Sequence, residues 1–198
     1  MGHYYTNESN LISNERVLKY TFRNNTLILK SDTGVFCKDH IDFGTNVLLN
    51  SIPVFENNSR ILDVGCGYGL IGLSIAKSNG TYSVDMIDVN KKAIGLSLEN
   101  KKNNLITNAL IFESDVYENV NEAEYDYIIT NPPIRAGKSV VHDIVLNGYS
   151  HLKSCGKIYV VIQKKQGAPS LISRMEEVYS EVNIINKEKG YYIIEGIK

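Results

Sequence analysis

Apolar residues from position 60 onward form short runs that alternate with longer segments of helical periodicity. The strand-like runs cover Arg60–Val64, 82–88, 109–114, Tyr125–Thr130 and 157–163. The helix-like segments that follow them cover Leu70–Ser78, Lys91–Asn103, 138–152 and 169–179. Short, continuously apolar strands separated by helices are typical of a parallel sheet with helices on both faces.

The two ends of the chain show a different pattern. Near the start, Arg16–Phe22 and residues 26–30 flank the polar Arg23-Asn24-Asn25, which predicts a β-hairpin, and a short helix is expected at 45–52. At the end, strand-like runs at 181–187 and Tyr191–Ile197 lie too close together for a crossover helix, so one must run antiparallel. The prediction is an α/β fold with a seven-stranded, mostly parallel sheet and an N-terminal hairpin extension.

Composition supports one water-soluble domain. The chain has 198 residues, of which 43% are hydrophobic and 22% charged, with a net charge of −1. We expect a single domain over 1–198, with an extension at 1–40 and the α/β core at 41–198. Neither a membrane-spanning run nor a signal peptide is apparent, which favours a cytoplasmic location. Cysteine and histidine spacings predict neither disulfides nor a metal site.

The first parallel strand leads into a glycine-rich loop, Asp63-Val64-Gly65-Cys66-Gly67-Tyr68-Gly69. Its glycines, Gly65, Gly67 and Gly69, allow a sharp turn and a close approach to a ligand. The spacing differs from the dinucleotide pattern GxGxxG, and a carboxylate at Asp63 suits a cationic ammonium better than pyrophosphate. This disfavours a nicotinamide oxidoreductase.

Two more carboxylates follow the next strands. Asp88 ends the second strand, about 20 residues beyond the glycines, where acidic residues meet ribose hydroxyls in dinucleotide-binding folds. Asp115 follows the third strand and is placed to accept a hydrogen bond from an adenine amino group. Together with the glycine loop, these residues resemble the cofactor site of Rossmann-like class I methyltransferases. The resemblance implies S-adenosylmethionine, with the three carboxylates near its methionine, ribose and adenine parts.

The fourth strand runs directly into Asn131-Pro132-Pro133-Ile134. An exocyclic amine is a poor nucleophile because its lone pair is delocalised. The Asn131 side-chain oxygen and the Pro132 carbonyl can hold its two N–H bonds and aim the lone pair at a methyl group, and proline preorganises that geometry. We therefore predict Asn131 and Pro132 as catalytic residues, with Asn131 also bordering the cofactor. Related amino-methyltransferases usually continue this motif with Tyr or Phe, so Phe36 is our candidate for stacking on the target base.

Basic residues are expected at the same edge of the sheet. Arg135 and Lys138 follow the Asn-Pro-Pro segment, Lys164 and Lys165 follow the fifth strand, and Lys38 is placed to join them. Clustered lysines and arginines there favour contact with phosphates. With Phe36 and Pro133, these four residues after the strands form the predicted substrate-binding set.

Four segments together are similar to the RsmC-type group, which methylates guanine N2 in small-subunit ribosomal RNA. They are 34–36, 42–45, 131–138 and 163–168. The resemblance implies ribosomal RNA or the small ribosomal subunit as partner. The best-known members carry an additional N-terminal domain, so a single-domain member is expected to dimerise or to rely on the basic residues predicted at the sheet edge.

Three other functions stay open at this point. The Asn-Pro-Pro logic also serves methylation of a protein glutamine side chain, although Ile134 counts against it. A small-molecule methyltransferase would not need Lys164 and Lys165. A catalytically silent RNA-binding module is disfavoured by the intact Asn131, Asp63 and Asp88.

Overall fold

A seven-stranded sheet forms the centre of the computed structural model, which describes residues 13–35, 40–120 and 125–198. Phe36 and Lys38 lie outside the described residues. A separate two-stranded sheet is formed by β1 (Arg16–Phe22) and β2 (Asn25–Ser31). The strands of the central sheet are β3 (Arg60–Val64), β4 (Ser83–Asp88), β5 (Ala109–Glu113), β6 (Tyr125–Thr130), β7 (Leu152–Gln163), β8 (Glu181–Glu188) and β9 (Tyr191–Ile197). The helices are α1 (Phe43–Ser51), α2 (Leu70–Ser78), α3 (Lys91–Asn103), α4 (Lys138–His151) and α5 (Ala168–Met175).

The order of the strands in the sheet is β5-β4-β3-β6-β7-β9-β8. Every neighbouring pair from β5 to β7 is parallel, whereas β9 is antiparallel to both β7 and β8. The prediction of a mostly parallel sheet with one reversed strand is confirmed. The chain moves outward from β3 through β4 to β5 and then returns to β6, so β3 and β6 flank the point where the winding reverses. Ligands of open α/β sheets bind beyond the carboxyl ends of the strands at such a point.

Two hydrophobic layers cover the sheet. Successive residues of β3 alternate between them: Ile61 belongs to the layer under α1, α2 and α3, and Leu62 to the layer under α4 and α5. Tyr159 and Val160 divide in the same way on β7. This period of two explains why the strands read as continuous apolar runs, because both faces are buried.

The boundaries of two elements differ most from the sequence expectation. Strand β7 begins at Leu152 rather than at residue 157, because a bulge carries the chain from the Tyr125 pairing to the Tyr127 pairing. Within it Cys155 has φ of +62°, and a side chain on Gly156 would meet the Lys153 and Tyr125 carbonyls. Helix α5 ends at Met175 rather than at residue 179.

The N-terminal hairpin is confirmed, with a tighter turn than expected. Only Arg23 and Asn24 connect β1 to β2, and both have positive φ, as a two-residue hairpin turn requires. Asn100 of α3 and Asn104, the residue that caps the end of α3, then bond to the backbone of β2 as a neighbouring strand would. Each donates to and accepts from one β2 backbone residue, Lys30 and Ile28 respectively.

Candidate functional site at the carboxyl edge of the sheet

The glycine loop between β3 and α2 is held open by backbone geometry that only glycine adopts easily. Gly65, Gly67 and Gly69 have φ of +75°, +58° and +95°. The N–H groups of Gly65 and Cys66 both donate to the Ile87 carbonyl at 2.9 Å. A side chain at Gly69 would also collide with Ser97 and Leu73. The loop therefore lies tightly against the end of β4.

The Asp88 carboxylate lies directly against this loop. It is 3% exposed, and its Oδ2 accepts from the Gly67 N–H at 2.9 Å while Oδ1 accepts from the Asn90 N–H at 2.9 Å. Asn90 in turn caps α3 and donates to the Gly34 carbonyl at 3.1 Å. The structure thus brings Asp88 and the glycines together and ties both to the segment that precedes α1.

Asp63 is buried with one carboxylate oxygen unused. Its Oδ2 accepts from the Gly72 N–H of the first turn of α2 at 2.8 Å, whereas Oδ1 has no hydrogen-bond partner among the described residues. Burial, together with the nearby charge of Asp88, raises the pKa of Asp63 to about 7. A buried carboxyl with an unsatisfied oxygen is chemically matched to a cationic donor.

Asp115 lies one strand farther along, after β5. It is exposed and lines an open cleft of about 550 Å³ together with Val116, Tyr117 and residues of α4. The Ser114 N–H donates to the Asp88 carbonyl at 3.1 Å, which fixes this turn beside the end of β4. The three predicted carboxylates therefore lie at or just beyond the carboxyl ends of three adjacent strands.

Asn131 follows β6, and the last pairing of β6 with β3 joins Thr130 to Val64. Asn131 and the glycine loop therefore lie side by side, because each begins at the end of one of these two neighbouring strands. The Asn131 Nδ2 donates to Asp42 Oδ2 at 3.0 Å and to Thr45 Oγ1 at 2.7 Å. Among the described residues, none donates a hydrogen bond to its Oδ1.

Asp42 and Thr45 were not predicted as site residues. Asp42 is the N-cap of α1 and accepts from the Thr45 backbone N–H at 2.8 Å. The spacing of Asp42 and Thr45 signals a helix start, and the segment 42–45 also belongs to the RsmC-type resemblance. Neither signal indicated contact with Asn131, which is separated from Asp42 by 89 residues.

The two prolines give the segment a fixed shape. Pro132 is buried, and the Pro133 carbonyl accepts from the Ala136 N–H at 2.9 Å, which closes a short turn over Ile134–Ala136. In the described part of the chain no backbone N–H bonds to the Pro132 carbonyl. That carbonyl and Asn131 Oδ1 are the two acceptors that the sequence argument requires.

Ile134 packs against the hydrophobic layer under α4 and α5. It also lines a small cavity of about 110 Å³ with Lys138, His142 and Gly167. Its side chain is therefore part of the packing beneath the edge.

The basic residues predicted after the strands lie at this edge, and their side chains are exposed. They are Arg135, Lys138, Lys164 and Lys165. Lys164 and Lys165 follow β7, and the Lys164 N–H donates to the Gly190 carbonyl at 2.8 Å. This contact brings in Lys189, whose Nζ lies 4.8 Å from the centre of the Phe43 ring. The basic edge, as we use the term, consists of Arg135, Lys138, Lys164, Lys165 and Lys189.

Sequence reasoning missed Lys189 and two aromatic residues beside it. The Phe43 and Tyr191 rings are 5.6 Å apart, and Tyr191 pairs with Gln163 immediately before Lys164. The sequence predicted a turn between β8 and β9, but it did not predict that this turn lies beside the end of β7.

Within the described parts of the chain, none of the helices combines the length and apolar character that a bilayer span requires. The same residues contain no group of three or more His, Cys, Asp or Glu side chains placed to hold a metal ion.

Comparison with known proteins gives consistent relatives. The family model for the methyltransferase small domain matches residues 26–195. The chain is 48% identical over 197 residues to the uncharacterized protein YbxB of Bacillus subtilis, covering 99% of this chain and 98% of that protein. It is 31% identical over 182 residues to ribosomal RNA small subunit methyltransferase C of Aliivibrio fischeri, covering 89% of this chain and 51% of that protein.

A solved structure gives the same picture of the fold. The Thermus thermophilus 16S rRNA N2 G1207 methyltransferase RsmC, in complex with AdoMet and guanosine, superposes with a TM-score of 0.83 at 22% identity. The match covers 93% of this chain and 50% of that one. The chain thus spans about half the length of the RsmC proteins that it matches.

Proposed function

Because the chain belongs to the methyltransferase small domain family, we propose that it transfers the methyl group of S-adenosylmethionine to the exocyclic N2 amine of a guanine in small-subunit ribosomal RNA. The chemistry of the edge residues supports an amine acceptor, and the RsmC relatives support ribosomal RNA. The segment 131–134 is the proposed catalytic centre.

The observation that carries the proposal is the orientation of the Asn131 amide. Its Nδ2 donates to Asp42 and Thr45, so the amide oxygen is the atom left to receive a substrate. An acceptor at this position, beside the Pro132 carbonyl, can hold both N–H bonds of an amine. Holding them directs the nitrogen lone pair along one line and lowers the entropy cost of reaching the transition state.

The residues at the glycine loop fit S-adenosylmethionine. The unsatisfied Asp63 Oδ1 is matched to its α-ammonium group, and Asp88, next to Gly67, is matched to ribose hydroxyls. Asp115 would accept from the adenine amino group. When bound, the cofactor supplies a methyl group on a sulfonium, an electrophile that needs no metal ion to activate it.

The protein's own residues then do three things. Asn131 Oδ1 and the Pro132 carbonyl orient the amine; the buried Pro132 and the turn at Ile134–Ala136 keep that carbonyl fixed. The same two acceptors stabilise the positive charge that grows on nitrogen as the bond to carbon forms. The proton can leave afterward to water, because an N-methylated cationic amine is a strong acid.

RNA as the substrate is supported by charge as well as by relatives. The protein has a net charge of −1, yet its five basic-edge residues gather around the proposed catalytic centre. Positive charge placed only there favours a local contact with phosphates over general binding of nucleic acid.

The direct test is incubation with tritiated S-adenosylmethionine and separate pools of naked ribosomal RNA, small subunits, tRNA and protein, followed by nucleoside analysis. We expect label in N2-methylguanosine from one of the two ribosomal pools. Asn131→Ala should lower transfer by roughly 10²–10³-fold while still binding the cofactor. Label in protein glutamine, or full turnover by N131A, would overturn the proposal.

A further inference from the structure

We propose that Asp42 and Thr45 lock the Asn131 side-chain amide in one orientation and thereby restrict the site to nucleophiles that carry N–H bonds. The inference rests on the proposed function for its substrate class. The start of α1 lies outside both the cofactor loop and the Asn-Pro-Pro segment. In this proposal it controls whether the oxygen or the nitrogen of the Asn131 amide faces the substrate.

The hydrogen bonds form a closed set around one nitrogen. Asn131 Nδ2 has two hydrogens, and they point to Asp42 Oδ2 at 3.0 Å and Thr45 Oγ1 at 2.7 Å. The Thr45 hydroxyl has a single hydrogen, which it donates to Asp42 Oδ2 at 3.2 Å. Thr45 Oγ1 can therefore only accept from Asn131, and a carboxylate can only accept in any case.

This arrangement excludes the rotated amide. If the amide turned by 180°, its oxygen would face the Asp42 carboxylate and lose that hydrogen bond, and the Thr45 hydroxyl could donate to it only by giving up its own bond to Asp42, so two of the three bonds would be lost. Thr45 is 5% exposed, so little water is present to replace them. The orientation of a surface asparagine is otherwise nearly degenerate; here the neighbours determine it.

The lock is more than the cap of a helix. Asp42 Oδ2 already caps α1 by accepting from the Thr45 backbone N–H at 2.8 Å, and the bond from Asn131 ends on the same oxygen. The bonds to Asn131 are additional and join α1 to the end of β6. Asp42 and Thr45 do not need to touch the substrate, so they are positioning residues.

The chemical consequence is a choice of nucleophile. With Oδ1 and the Pro132 carbonyl presented, the site offers two acceptors and no donor from this pair. An amine satisfies both, whereas a carbonyl, phenolate or thiolate would meet repulsion between lone pairs. The lock therefore favours methylation at nitrogen over oxygen or sulfur.

The first experiment exchanges the two side chains' chemistry. Asn131→Asp places two carboxylates against each other and should lower kcat by roughly 10²-fold or more. Asp42→Asn is the control, because its side-chain oxygen can take the place of Oδ2 and both cap α1 and accept from Asn131, so kcat should stay near that of wild type. In the double variant D42N/N131D the side-chain amide at position 42 turns its nitrogen toward the carboxylate at position 131, at the expense of the α1 cap, and that carboxylate again presents an oxygen to the substrate. Its kcat should exceed that of N131D by about tenfold or more. Activity of the double variant equal to or below that of N131D would overturn the lock.

A matched pair at Thr45 checks the second bond. Thr45→Ser keeps the hydroxyl and should keep kcat, whereas Thr45→Val keeps the shape and should lower kcat by about tenfold. KM for RNA and the affinity for S-adenosylmethionine should change little in either variant. A loss of cofactor affinity in T45V equal to its loss of kcat would assign Thr45 a merely structural role.

A second measurement is independent of catalysis. In ¹⁵N spectra the Asn131 side-chain amide is identified by its absence in N131D, and its hydrogen exchange is then compared in wild type, D42A and T45V. We expect slow exchange in wild type and faster exchange in both variants. Equal exchange in all three overturns the lock whatever the activity. Slow wild-type exchange without methylation of any RNA overturns the proposed substrate and leaves the lock standing.

Discussion

At the scale of single residues, the buried carboxyl of Asp63 is the most consequential side chain. It is fully buried, and burial together with the charge of Asp88 raises its pKa to about 7. The carboxyl is thus partly protonated near neutral pH in the absence of a cationic partner. Binding of an ammonium group would favour the ionised form and release the proton.

The shift in pKa also makes stability depend on pH. An unfolded aspartate has a pKa near 3.9, whereas the pKa of Asp63 in the folded protein is about 7. The contribution of the neutral carboxyl to stability is therefore fully present below about pH 3.9. That contribution is lost as pH rises through about 7, because the folded protein must then hold a buried charge.

The first prediction concerns Asp63→Asn. The amide removes the buried charge, so the free energy of unfolding at pH 8 should rise by roughly 1–3 kcal/mol, while at pH 5 it should change much less. Affinity for S-adenosylmethionine should nevertheless fall. Urea unfolding at both pH values and calorimetry with the cofactor give the two quantities. Asp143→Asn, an exposed carboxyl on α4, is the control and should leave the pH dependence unchanged.

At the scale of elements, α3 connects the N-terminal hairpin to the glycine loop. The Asn100 side chain is buried and joins three segments: its Oδ1 accepts from the Lys30 N–H at 2.7 Å, and its Nδ2 donates to the Lys30 and Tyr68 carbonyls at 2.8 Å each. One side chain therefore links the hairpin to the glycine loop. These bonds fix the hairpin against the loop that carries the glycines.

The second prediction follows from these bonds. Asn100→Ala leaves three backbone groups without partners in a poorly hydrated place and should lower the free energy of unfolding by about 2–4 kcal/mol. Amide hydrogen exchange in β2 should accelerate. Asn103→Ala, at an exposed position on the same helix, should change stability by less than about 0.5 kcal/mol. Similar losses in the two variants would show that the contacts of Asn100 contribute little.

At the scale of the whole molecule, the distribution of charge matters more than its sum. The basic edge lies at the carboxyl ends of the strands, whereas Lys101 and Lys102 occupy the last turn of α3, at the opposite edge. These two pairs of lysines allow position to be separated from net charge.

The third prediction compares those positions. The double variant K164E/K165E should weaken RNA binding, and the slope of log affinity against log salt should become shallower by about 1–2, as for the loss of two phosphate contacts. The variant K101E/K102E makes the same change in net charge and should leave both quantities nearly unchanged. Filter binding over a range of salt concentrations measures both. Equal effects in the two variants would mean that only net charge matters.

A companion variant tests the residue that the fold added to this edge. Lys189→Glu should weaken RNA binding and reduce the salt slope by about 0.7, the value for a single contact. An unchanged slope would place Lys189 outside the RNA contact surface.

The sequence by itself determined much of the architecture. The short, continuously apolar runs that alternate with helical segments and the short separation of β8 from β9 were sufficient to predict seven strands with one reversed. The glycine loop, Asp88 and Asn131 could be placed at one edge because each lies at or directly after the end of a strand, and parallel strands end together. Such features are local in the chain, and local patterns report burial and backbone conformation.

Only the tertiary structure decided which side chains meet. Whether Asp42 reaches Asn131, Lys189 joins Lys164, or Ile134 packs into the core depends on how α1 crosses β7 and β9 and on how the β8–β9 turn lies against its neighbour. These contacts join residues far apart in the chain, and no periodic pattern encodes them. A hydrogen bond is set by positions within about 3 Å, whereas hydrophobic patterning specifies only which face of an element is buried.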